Sequence, residues 1–91
     1  MRVITVRLEG RTVSVWGLTK ELYENLAQRM SQLKYAVNSR QGPSGEMLVD
    51  AVSCASSMLY HDIFRAVRDA ARDGFSVKGK IRGGAPDAVP V

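Results

Sequence analysis

Three cations alternate along Phe75-Ser76-Val77-Lys78-Gly79-Lys80-Ile81-Arg82. In an extended chain successive side chains point to opposite faces, so Lys78, Lys80 and Arg82 share one face while Phe75, Val77 and Ile81 share the other. Positive charge at that spacing, with Gly79, Gly83 and Gly84 letting a backbone come close, suits an anion such as a phosphate. Arg7 can lie on the same sheet face, and Trp16 offers a ring on which a base would stack. The candidate anion-binding residues are therefore Arg7, Trp16, Lys78, Lys80 and Arg82. The same alternation also suits an edge strand that uses lysines to block unwanted strand pairing, and both readings stay open at this point.

Other reactive types are less suggestive. Arg65, Arg68 and Arg72 fall on one helical face, but Asp62 and Asp69 stand three or four residues from them, which describes a solvated, paired helix surface. His61-Asp62 follows Cys54 by about 10 Å of helix rise, too far for a base to activate a thiol. Cys54 among Val52, Ala55 and Met58 reads as an inert core thiol. The chain has one cysteine and one histidine, which cannot form a disulfide framework or a complete zinc site. Phosphate-loop glycines, paired carboxylates and metal-ligand spacings are missing from the sequence. The expectation is a non-catalytic binding protein with no cofactor.

The elements that would carry these residues follow from periodicity. Residues 2–8 and 11–16 are rich in Val, Ile and Thr and flank Glu9-Gly10, which predicts a hairpin. Pairing Leu8 with Arg11, Val6 with Val13 and Ile4 with Val15 gathers the aliphatic side chains on one face. Thr19 is a good helix N-cap, followed by an apolar stripe of Leu22, Leu26, Met30, Leu33 and Val37 at helical spacing. Gly42-Pro43 ends that helix.

Ser44 then caps a second helix running to Gly74, on the order of 40 Å long unless it breaks near Ser56-Ser57 or Tyr60-His61-Asp62. Its first half is apolar on two sides, with Leu48, Val52, Ala55 and Leu59 in one row and Met47, Ala51, Cys54 and Met58 in the other. A monomer covers one row, so the second is expected to mediate a homodimer or higher oligomer. Residues 75–82 form a third strand. Residues 83–91 form a tail too rich in Gly and Pro to fold alone.

The expected architecture is α+β: one domain over residues 1–82 in ββααβ order, a three-stranded antiparallel sheet packed on two helices. A chain of 91 residues buries about 60–65% of its unfolded surface, so self-association would add stability. Thirteen basic against nine acidic residues leave a net charge of +4, a tilt that favours anionic partners without locating them. A lone cysteine, no apolar run after the first charges and no long apolar segment lead to the expectation of a cytoplasmic protein outside the membrane.

Ile4-Thr5-Val6-Arg7-Leu8, Leu18-Thr19-Lys20-Glu21-Leu22-Tyr23-Glu24-Asn25-Leu26 and Ser44-Gly45-Glu46-Met47-Leu48-Val49-Asp50-Ala51 resemble fragments of ribbon-helix-helix DNA-binding proteins. The extra strand before the first helix, the length of that helix and the strand after residue 74 depart from that pattern, and no residue roles are carried over. Two functions compete. One is an anionic ligand, nucleic acid or nucleotide, on the basic strand face. The other is an accessory or inhibitor protein, of the kind bacterial mobile elements or phages encode, that blocks a protein target through the apolar helix row.

Overall fold

The computed structural model describes residues 2–33, 37–72 and 74–82, with Val37, Asn38 and Arg82 described through their backbone alone. The order is β1 (Arg2–Glu9), β2 (Thr12–Trp16), α1 (Lys20–Met30), β3 (Val37–Gln41), β4 (Met47–Ala51), α2 (Ser56–Ala71) and β5 (Phe75–Arg82). The chain is α+β, but its sheet has five strands, in the order β3-β4-β2-β1-β5. The tail at 83–91 lies outside the described residues.

The hairpin forms as expected with its register moved by two. Leu8 pairs with Val13, Val6 with Val15 and Glu9 with Thr12. A shift of two keeps every side chain on its face, so the aliphatic set stays together. The shift comes from the turn, which is centred on Gly10-Arg11, where Gly10 takes φ 63, a conformation that costs glycine little.

Thr19 caps α1, its hydroxyl accepting from the Leu22 N–H at 3.2 Å. The helix stops at Met30, seven residues short of the expected Val37. There the Ser31 hydroxyl donates to the Gln28 carbonyl at 2.7 Å, a local bond that competes with continuing the helical ladder.

The long second helix is not formed. Its first part is a hairpin, with β3 and β4 antiparallel and Gln41 opposite Met47. The turn between them is closed by the Gly42 N–H donating to the Glu46 carbonyl at 2.8 Å. The Ser44 N–H also donates to the Glu46 carboxylate, at 2.9 Å. Helix α2 begins at Ser56, at one of the two breaks the sequence allowed. Met47, Val49 and Ala51 are buried, so the period of two governs this stretch and the spacing of four was incidental.

The last strand falls where expected, but β5 pairs with β1 in parallel, and the sheet is mixed. Two crossovers follow. Strand β2 reaches β3 through α1, passing β4, and β4 reaches β5 through α2, passing β2 and β1. The two departures are from antiparallel strands and move in opposite directions across the sheet. Crossovers of one hand therefore set both helices on the same face, and strand twist enforces a single hand.

On that face Ile4, Val6, Leu8, Val13, Val15, Met47 and Val49 meet Leu26, Met30, Leu59, Ile63 and Val67, all buried. Each such side chain contributes roughly 1.5–3 kcal/mol of transfer free energy. Tyr60 and Phe64 of α2 lie over β5 at Gly79, where an added Cβ would overlap the Tyr60 hydroxyl and stand 3.0 Å from the Phe64 ring.

Candidate functional site

The sheet's other face carries the side chains that alternate with the core. Along β1 the alternation is complete, with Ile4, Val6 and Leu8 buried and Val3, Thr5, Arg7 and Glu9 turned away from the helices. The pairing of Arg40 with Leu48, Leu48 with Ser14, Ser14 with Arg7 and Arg7 with Lys80 makes one straight row across all five strands. At about 4.8 Å between strands the row spans about 19 Å. Among the described residues no element packs over this face.

Trp16 is its centre. The indole folds back along β2, and its Nε1–H donates to the Ser14 hydroxyl at 2.9 Å. Ser14 is left only 7% exposed beneath it. The Arg7 guanidinium carbon sits 5.3 Å from the indole ring centroid, within cation–π range. Among the described residues the Nε of Arg7 is buried without a hydrogen-bond partner, and an unmet buried donor costs about 1–3 kcal/mol.

Lys78 pairs with Thr5 and Lys80 with Arg7, so both share the face of Arg7 and Trp16. Both are exposed, and neither is engaged by a partner among the described residues. The Arg82 backbone pairs with Glu9. Arg7, Trp16, Lys78 and Lys80, singled out from separate parts of the sequence, are thus brought together on one surface.

The far side of the face is electrically different. Arg40 of β3 forms an ion pair with Asp50 of β4, and the Thr12 hydroxyl of β2 donates to the other Asp50 oxygen at 2.7 Å. The Thr12 hydrogen bond, aided by Arg40, holds the Asp50 carboxyl below the usual aspartate range despite some desolvation. Among the described residues of this face, cationic charge without a partner therefore gathers toward β5, at Lys78 and Lys80.

Sequence reasoning missed Ser14 as the acceptor that seats Trp16, and missed Arg40 and Leu48 as members of this surface. Arg40 lies in the stretch where the first helix was expected to end before Gly42-Pro43. The alternation Met47-Leu48-Val49-Asp50-Ala51 was the signal that could have found the last two.

The expected oligomer row does not exist. Met47 and Ala51 belong to β4 and are buried in the chain's own core. Cys54 lies half-buried in the loop before α2, its carbonyl accepting from the Arg11 guanidinium at 2.9 Å. Met58 is 44% exposed on the first turn of α2, away from the two β4 residues in element and in orientation. His61 is exposed on α2, its ring edge-on to Tyr60, and Cys54 is outside that helix altogether.

Two clefts open elsewhere. One of about 400 Å³ runs between the helices, lined by Arg29, Met30, Leu33, Asp62, Ala66 and Asp69. The other, about 530 Å³, lies between the start of α1 and the β3–β4 turn, lined by Lys20, Tyr23, Glu24, Gln41 and Gly45. Among the described residues no three His, Cys, Asp or Glu side chains group as metal ligands, and no helix is long and apolar enough to cross a membrane.

Set beside known protein families, curated proteins and solved structures, the chain matches none of them.

Proposed function

We propose that this protein is a non-catalytic binding module that holds nucleic acid on the open face of its sheet. The observation that carries this reading is the meeting of Lys78 and Lys80 with the Arg7–Trp16 stack on a surface no described element covers. Phosphate oxygens are matched by exposed ammonium groups, and base faces by an indole and a guanidinium plane. The net charge of +4 adds a long-range attraction that speeds encounter. Of the apolar row on which self-association and a blocked protein target rested, Met47 and Ala51 are buried in the core, Cys54 lies half-buried in a loop and Met58 is exposed by itself on α2, so this reading requires no second copy of the chain.

The test is a titration of a labelled nucleic acid at several salt concentrations, with Lys78→Glu/Lys80→Glu beside the wild type. Both side chains are exposed, so the variant should keep its circular dichroism and melting temperature. Binding should weaken at least tenfold, and the slope of log affinity against log salt should fall by about 1–2, since each lost phosphate contact removes about 0.7–0.9. An unchanged affinity and slope in a folded variant would leave the lysines as guards of an exposed edge.

A further inference from the structure

We infer that the nucleic acid is single-stranded, with its phosphates along β5 and its bases turned inward onto Trp16 and Arg7. The inference deepens the binding reading above and rests on it. The asymmetry of charge decides the orientation. On β5, Lys78 and Lys80 stand two residues apart on one face, about 6.6 Å along the strand, and have no partner among the described residues. At the opposite edge Arg40 is neutralised by Asp50. A polyanion therefore settles at β5, and the nearest flat π surface is one to two strands inward, at Arg7 and Trp16.

Only an unpaired strand can use both features. A duplex presents phosphates outward and hides its base faces in the stack, so it reaches the lysines but not the indole. A mononucleotide has the base and the phosphate but not the length to repay ordering on a flat face, and small ligands favour concave sites. The two clefts described above lie beside the helices, away from this surface. The unmet Nε–H of Arg7 gains an acceptor when a base or phosphate oxygen draws the guanidinium off the indole, and that movement frees the ring for a base.

The experiment follows the fluorescence of Trp16, the one tryptophan in the chain, during titration with oligothymidylate, its duplex with oligoadenylate, and thymidine monophosphate. Single-stranded DNA should quench the indole and bind at least tenfold more tightly than the duplex or the monophosphate. Trp16→Leu should lose about five- to hundredfold in affinity for the single strand, the range of one base–aromatic stack. Trp16→Phe, which keeps a π face and covers the case where Leu disturbs the fold, should stay within about threefold.

Equal binding of strand and duplex with unchanged fluorescence overturns the single-strand inference and leaves the electrostatic reading standing. Tight binding of the monophosphate also overturns it. Binding of none of the three overturns the nucleic-acid reading itself.

Discussion

At Gly79 one hydrogen atom stands where a methyl group would meet the Tyr60 hydroxyl and crowd the Phe64 ring. The glycine therefore belongs to the helix side of β5, although it lies between the two lysines of the open side. The sequence suggested that it eased a ligand's approach; the contact with α2 gives it a packing role instead. Gly79→Ala should destabilise the fold by about 1–3 kcal/mol, the usual cost of overpacking. Tyr60→Phe removes the atom the new methyl strikes first, so in the double variant part of that loss should return. Urea melts of the wild type, both single variants and the double variant measure the coupling. Strict additivity would mean that the glycine is held for some reason other than this contact.

At the scale of elements, Asp50 ties three strands together, taking a hydrogen bond from Thr12 on β2 and an ion pair from Arg40 on β3. Its carboxyl is held below its ordinary value of 3.8 chiefly by the Thr12 hydrogen bond. A depressed carboxylate stabilises the folded state at pH above the unfolded value, and that contribution is lost as pH falls through the folded one. Asp50→Asn should therefore be less stable than the wild type at pH 7, and the gap should close as the pH drops below about 3.8. Urea midpoints across that range check it, and a gap that persists at low pH would assign the effect to packing. These same strands were the least legible part of the sequence. The first hairpin, the start of the first helix and the last strand could be read because period, cap and turn residues agreed. Residues 47–51 satisfied a period of two and a period of four together, and Met47, Ala51 and Met58 looked like one helical row. What separated the readings was pairing of β4 with β2, a long-range contact that no local spacing reports. The candidate site was legible in its parts, Arg7, Trp16, Lys78 and Lys80. Their adjacency depended on β5 lying parallel beside β1, which follows from the crossover through α2.

Over the whole molecule the open face is a consequence of topology. Crossovers of one hand that leave antiparallel strands in opposite directions must stack their helices on one side, so among the described residues this five-stranded sheet has one face covered by helices and one that no described element covers. The bare face is hydrophilic apart from Trp16, Leu48 and Val3, and it is the side on which Lys78 and Lys80 are exposed. The helical row expected to mediate self-association is not formed, since Met47 and Ala51 sit at 0% and 5% exposure inside the chain's own core. Among the described residues the exposed large apolar side chains are scattered: Val3 on the open face, Val52 in the loop after β4 and Met58 on α2. Isolated residues of this kind are ordinary on a monomer's surface and do not form a seam. Native mass spectrometry at micromolar concentration should therefore show the bare protein at the mass of one chain, 10.0 kDa. Added oligothymidylate should shift that peak by one oligonucleotide mass while the protein stays single. A dimer that persists without nucleic acid and dissolves in Trp16→Leu would show the bare face already occupied by a second copy, and would turn nucleic-acid binding into a competition with it.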